Sequence, residues 1–373
     1  MLIRYGTTKE GKRVEIARIY TVDEHGISRS KIDPEARKVT ERLTSEGFQA
    51  YIVGGAVRDL LVGKVPKDFD VATDAHPRRV RKMFWNSRII GKRFRLVHVE
   101  INAKIIEVAT FRSLAGPNEF GTIEEDVARR DFTMNALYYS PEKEQILDYV
   151  GGFEDIRARR IRSLLPIETT FVDDPVRMVR AVKYAVGTGF ELPAKLKSRI
   201  RKSADELARC SASRMTEEVF KILQSGRSAA VFNLAMDLGL FPHMMNAMSE
   251  RLKGPGQRDR TNALLQSLSG LDETVERESE VARSQMIVAL VEPSLAFPTE
   301  IPSDRTLLVK EIFTGIKTVI RPITPPNADV EAAVKELMEK RGIAPPPKPR
   351  RRRRRGASRA GGGPRTPEKP SAR

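Results

Sequence analysis

Between Gln49 and Val71 the chain has few choices. Gln49-Ala50-Tyr51-Ile52-Val53 reads as a short buried strand, because apolar and β-branched residues run together up to two glycines. Gly54-Gly55 ends that run, and Ala56 to Val62 follows as a short helix closed by Gly63. A second strand then starts around Asp68-Phe69-Asp70-Val71. A strand that turns sharply through two glycines into a helix lets another backbone or an anion approach closely. Its free N–H groups and the helix N-terminus favour negative charge at that point. Strand alternation would put Asp68 and Asp70 on one face, with Phe69 turned to the core.

The surrounding pattern extends this unit into a mixed sheet with flanking helices, an α+β architecture. Residues 1–30 carry no strong periodicity and are expected to be an N-terminal arm. Asp33 to Gly47 reads as a helix on the spacing of Ala36, Val39 and Leu43. Pro77 to Trp85 is expected to be helical. Phe94–Ile101 and Lys104–Phe111 are expected to be strands joined by a tight turn at Asn102-Ala103. Thr122 to Tyr139 is expected to be one helix, opened by a Thr122–Glu125 capping box. Ile146 to Tyr149 closes the sheet. The first domain is therefore placed at residues 31–152. Beyond Gly151-Gly152 strand signals fade, and an all-helical region is expected, divided at 153–225 and 226–344. The helix beginning at Asp173-Asp174-Pro175 is expected to be capped by those acids. From Pro345 to Arg373, Pro, Gly and Arg dominate, and the expectation is disorder.

Charge and cysteine content limit the function classes. The formal net charge is +17. Eleven Lys or Arg against the single acid Glu368 lie between Lys348 and Arg373, so the tail holds +10 and the body about +7. A basic body with a basic tail points to a polyanion, and Arg350, Arg351, Arg352, Arg353, Arg354 and Arg355 are the expected nucleic-acid-binding run. The single cysteine, Cys210, excludes an internal disulfide framework and a cysteine-based zinc site. No apolar run approaches the ~20 residues of a membrane helix. The opening residues Met1 to Gly6 lack the layout of a secretion signal. The expectation is a cytoplasmic protein without a membrane partner.

Four clusters can carry chemistry. Two carboxylates roughly 7 Å apart along a strand, Asp68 and Asp70, are costly to ionise together unless a cation joins them. Mg²⁺ fits, because it takes a few carboxylate oxygens and completes its shell with substrate phosphates. Arg58, on the first turn after Gly54-Gly55, is placed to hold phosphate oxygens. In Arg129-Arg130-Asp131-Phe132-Thr133-Met134-Asn135, Asp131 can supply a third carboxylate, Arg130 a phosphate contact and Asn135 a sugar contact. Glu107, on the strand 104–111, is the rival third carboxylate. In Asp174-Pro175-Val176-Arg177-Met178-Val179-Arg180, Asp174 and Arg177 are three apart. They would share a helix face and offer acceptors and donors to a base edge. Arg180 lies one turn on, within reach of phosphate. An ordinary salt-bridged helix start is the alternative for that last segment.

Taken in order, Gly54-Gly55-x-x-Arg58-Asp59, Asp68-x-Asp70, Arg129-Arg130-Asp131-Phe132-Thr133-x-Asn135 and Asp174-x-x-Arg177 resemble the class II tRNA nucleotidyltransferase and poly(A) polymerase family. The resemblance runs from about Ile27 to Pro242. It implies a polymerase β-like nucleotidyltransferase head followed by helical neck, body and tail. Ile89 to Val99, His25 to Arg29 and the Arg-rich C-terminus resemble the bacterial poly(A) polymerase branch. The implied activity is template-independent addition of AMP from ATP to RNA 3′ ends, with two Mg²⁺ ions on Asp68 and Asp70 and support from Asp131. Gly54, Gly55, Arg58, Arg130 and Asn135 would bind the nucleotide, and Asp174, Arg177 and Arg180 would read and orient it. The implied partners are RNA 3′ ends, ATP and the RNA-decay machinery. CCA-adding or A-adding tRNA nucleotidyltransferase activity is the alternative, and a non-catalytic RNA-binding protein is a second.

Overall fold

In the computed structural model the described residues are 1–7, 11–91, 95–116, 119–278, 280–297, 301 and 304–344. The arginine run 350–355 and the expected disordered segment 345–373 lie outside them. Among the described residues no helix is long and apolar enough to cross a membrane.

The head is a sheet of nine described strands: β1 (Leu2–Thr7), β2 (Arg13–Tyr20), β3 (Ala50–Val53), β4 (Asp70–Thr73), β5 (Ser87–Ile90), β6 (Leu96–Ile101), β7 (Lys104–Thr110), β8 (Leu137–Ser140) and β9 (Gln145–Asp148). Their spatial order is β1-β2-β9-β8-β3-β4-β7-β6-β5. The β4–β7 pair is parallel, and the other described pairs are antiparallel. Local signals place several elements where the pattern expects them. Helix α1 (Pro34–Ser45) starts at Asp33, whose Oδ1 accepts from the N–H groups of Glu35 and Ala36, and it buries Ala36, Val39 and Leu43. Asn102 and Ala103 both adopt positive φ, 50° and 61°, in the two-residue turn between β6 and β7. That geometry matches the right-handed twist of a hairpin.

Two expectations are corrected. Residues 1–30 are not a separate arm: β2 pairs with β9, and Ala17 and Tyr20 are buried. The partner of β2 lies more than a hundred residues downstream, so no local signal announces the pairing. The single helix 122–139 is also replaced. The Thr122–Glu125 capping box forms, but helix α2 (Ile123–Ala128) stops after six residues. A 3₁₀ turn at Thr133–Asn135 then leads into β8. Tyr138 and Tyr139, both fully buried, point to opposite sides of the sheet and join different apolar clusters. A helix could not send adjacent side chains to two opposed cores; a central strand does.

After β9 the chain is helical. Asp148 accepts from the N–H groups of Val150, Gly151 and Gly152 through Oδ1 and from Phe153 through Oδ2, fixing the exit from the sheet. Helices α3 (Val176–Thr188), α4 (Ala212–Leu223) and α5 (Gln257–Arg277) follow, with Arg305–Val319 and Asn327–Lys340 near the end of the described chain. One apolar cluster runs from Ile52 and Val71 in the sheet through Met178 and Phe220 to Leu337, so head and helices share a core.

Candidate active site

A cleft of about 750 Å³ lies between the sheet and α3. Its walls include Gly54, Gly55, Arg58, Asp70, Arg130, Asp131, Asn135, Asp174, Arg177 and Arg180, which brings together every proposed nucleotide contact and two of the three proposed carboxylates. Nine Lys or Arg line it against four Asp, so the cleft favours a polyanion.

Gly54 forms the turn. Its φ of 70° and ψ of −129° suit glycine alone, and they let helix Gly55–Leu61 start beside the cleft. Arg58 on that helix donates from Nη1 to Asn135 Oδ1 at 2.8 Å, while Nε and Nη2 hold Asp59 Oδ1. Asn135 Nδ2 in turn donates to Asp131 Oδ1 at 3.1 Å. Asp131 also accepts from the Phe132 N–H at 2.8 Å and pairs with Arg180 Nη2 at 3.1 Å. Asp131, Asn135, Arg58 and Arg180 therefore form one connected polar network that ties the 3₁₀ turn to α3. Arg130 is held by three acceptors: Tyr138 Oη at 3.0 Å, the Asn135 carbonyl at 3.1 Å and Asp126 Oδ2 at 2.9 Å.

The two aspartates differ from the strand expectation. β4 begins at Asp70, and Asp68 lies in the irregular segment before it, exposed and absent from the cleft lining. Asp70 opens onto the cleft. Its pKa is pushed up to about 6, mainly by desolvation, then by the charges of Glu107 and Asp68; Arg130 and Lys221 oppose the rise. Glu107 sits on β7 one step before the Val71–Val108 pair, beside Asp70 on the neighbouring parallel strand. Asp131 is not among the largest causes of that rise; its Oδ1 accepts from Phe132 and Asn135, and its buried Oδ2 faces Arg180 in the ion pair without a hydrogen bond of its own. Among the described residues no group of three or more acidic, His or Cys side chains forms a preassembled metal cage. Mg²⁺ does not need one, since it uses one or two carboxylates together with substrate phosphates. Asp70, crowded by Glu107 and Asp68, is an oxygen-only donor set that a divalent cation would relieve.

Asp174 and Arg177, expected to read the base, are arranged differently from the expected helix face. Asp174 is extended, φ −150° and ψ 92°, between the short helix Thr170–Asp173 and α3, and neither acid caps α3 by its side chain. Asp174 Oδ2 accepts from Arg214 Nη2 at 2.8 Å across from α4, and its Oδ1 is buried without a partner. Arg177 is buried and donates to the Arg129 carbonyl at 3.3 Å. Both still face the cleft, unpaired with each other. Lys183, Tyr184, Arg214 and Lys221 also line it and escaped the motif reading. Lys183 and Tyr184 were legible as the next turn of the Arg177–Arg180 face. Arg214 and Lys221, on α4, had no local signal. Lys183 Nζ pairs with Glu218 at 2.6 Å, and burial lowers its pKa.

Comparison with known proteins places this geometry. The Poly A polymerase head domain matches residues 50–162, and the probable RNA and SrmB-binding site of polymerase A matches residues 189–252. Poly(A) polymerase I of Escherichia coli is 38% identical over 287 residues, which is 72% of this chain and 62% of that protein. The head belongs to the Poly A polymerase head-domain family. The chain spans about 62% of the length of the polymerase it matches. A relative from Geobacillus kaustophilus, a CCA-adding enzyme, is 36% identical over 56% of this chain and 54% of its own. The crystal structure of the Bacillus stearothermophilus CCA-adding enzyme in complex with CTP superposes with a TM-score of 0.55 at 27% identity, covering 83% of each chain. The nucleotidyltransferase fold expected from the motifs is thus the fold of the head.

Proposed function

We propose that this protein transfers AMP from ATP to the 3′ ends of RNA without a template. The observation that carries the reading is the cleft itself, which sets a glycine turn, a carboxylate site and the Asp174 carboxylate around one strongly cationic space. Gly54, Gly55 and Arg58 receive the triphosphate at the end of β3. Arg130, locked by Asp126 and Tyr138, presents a fixed positive charge behind it. The Asp174 carboxylate accepts from the adenine amino group, and Arg177, bound to the Arg129 carbonyl, keeps that end of the cleft in place. Mg²⁺ bound by Asp70 with Asp68 and Glu107 would supply activation of the RNA 3′-hydroxyl and neutralisation of the departing pyrophosphate. Glu107 is favoured over Asp131 as third carboxylate by its place beside Asp70. Asp131 acts by holding Arg180 and Asn135, and through Asn135 it orients Arg58.

The CCA-adding relatives keep a second reading open, incorporation of CTP as well as ATP. Incubation of the full chain with Mg²⁺, a generic RNA primer and all four nucleotides, followed by product sequencing, separates the two. Long oligoadenylate extensions are expected. A product ending in CCA, made only on tRNA lacking those residues, would assign the second reading, and no extension at all would remove both. A place beside the RNA-decay machinery belongs to the same proposal, since adenylated 3′ ends are the product such machinery would meet.

A further inference from the structure

The sheet order gives the acceptor RNA a direction. β3 ends at the glycine turn, β4 carries Asp70, and β7, β6 and β5 lie beyond on the other side. In an in-line phosphoryl transfer the attacking oxygen approaches opposite the leaving pyrophosphate. With the triphosphate at the β3 end, the attacking RNA end lies on the side of β7, β6 and β5. On this open face the register makes a continuous row. Glu107 pairs with His98, and His98 pairs with Arg88. The row ends at a concavity of about 200 Å³ formed by Trp85, Arg88, His98 and Ile105 among others. Trp85, the only tryptophan of the chain, is 94% exposed there. Ile105 is 50% exposed, Arg88 is exposed, and Glu100 lines the same concavity. An aromatic ring left almost entirely in water beside an exposed guanidinium is the combination that stacks a base and holds its phosphate.

We infer that the open face of β7-β6-β5 is the binding track for the single-stranded 3′ segment of the acceptor RNA, with Trp85 stacking a base upstream of the reacting end and Arg88 contacting the backbone. Three strand spacings separate β4 from β5, roughly 15 Å, so the stacked base lies a few nucleotides from the terminal hydroxyl. The inference rests on the proposed activity for its direction, but the track binds RNA whether or not transfer occurs.

The lone tryptophan is the probe. Titration of the full chain with short oligoadenylate, in EDTA and without ATP, should quench Trp85 emission saturably. Trp85→Ala should raise the KM for RNA about tenfold, as expected for one lost stacking contact, while the KM for ATP holds. Trp85→Phe should recover most of the loss. Arg88→Ala should reduce the salt slope of RNA binding by about one. Unchanged emission while anisotropy of labelled RNA reports binding would overturn the track. So would an RNA affinity of Trp85→Ala within twofold of the parent, or no RNA binding at all. A blue shift that depends on protein concentration and not on RNA would assign the face to a second copy of the chain and also overturn it. Quenching without any AMP incorporation would leave the track standing and remove the proposed activity instead.

Discussion

Replacing Asp70 by Asn should make the protein more stable while destroying its activity. Desolvation, Glu107 and Asp68 raise the Asp70 pKa from 3.8 to about 6. A carboxylate with a raised folded pKa is easier to ionise in the unfolded chain, so its charge costs folding free energy once the pH exceeds the unfolded value. Below pH 4 both states are protonated and nothing is lost. Between pH 4 and 6 the cost grows, and above about 6 it is complete. The shift corresponds to about 3 kcal/mol at about 1.36 kcal/mol per pH unit. Asp70 faces an open cleft, however, and water screens it, so about 1 kcal/mol is the expected net. For a chain of this size that is roughly 2 °C in Tm. The assay is thermal unfolding of the parent and Asp70→Asn at pH 8 and pH 4, in EDTA and again with excess Mg²⁺. The variant should melt higher at pH 8 in EDTA, the gap should close at pH 4, and Mg²⁺ should raise the parent alone. Equal melting at pH 8, or a less stable variant, would refute the argument that like charges crowd this site.

Other perturbations test the supports around the cleft. Asp126 is 3% exposed and accepts from Arg130, Tyr138 and Arg112. Asp126→Asn should cost about 3 kcal/mol in urea unfolding, as breaking a buried ion pair does, and should weaken ATP binding; an unchanged midpoint would argue against its anchoring role. Gly54→Ala places a Cβ 3.6 Å from Arg130 Nη1 at a φ of +70°, and the backbone strain should cost about 1–2 kcal/mol and raise the KM for ATP. Arg214→Ala frees Asp174 Oδ2 and should narrow the preference for ATP over CTP in competition assays, whereas unaltered selectivity would separate Asp174 from base choice. Removal of residues 345–373, which carry most of the basic excess, should flatten the salt dependence of RNA affinity, measured as the slope of log affinity against log salt.

Several features that depended on neighbours in sequence were legible before the fold was known. Asp33 with Pro34 starts α1, Asn102-Ala103 turns the β6–β7 hairpin, and Thr122 with Glu125 opens α2, because each rests on hydrogen bonds or dihedrals spanning a few residues. The glycine turn, Arg58, Asp70 and the Arg177–Arg180 stretch were legible for the same reason: a motif is a short-range object. Less could be read where pairing is distant. β2 needed β9, and β8 was hidden inside an apolar run that helix periodicity fitted as well.

The residue types in the sequence therefore narrowed the kind of chemistry proposed, through a glycine turn with acidic groups close behind and a large basic excess. Tertiary structure decided which groups are free to perform it. It set Glu107 beside Asp70 through a parallel strand pairing, and it gave the oxygens of Asp131 to Phe132, Asn135 and Arg180. It also turned Asp174 away from Arg177 toward Arg214. The cause is general: side-chain identity fixes what a group can bind, but competition among partners brought together by the fold fixes what is left over for a substrate.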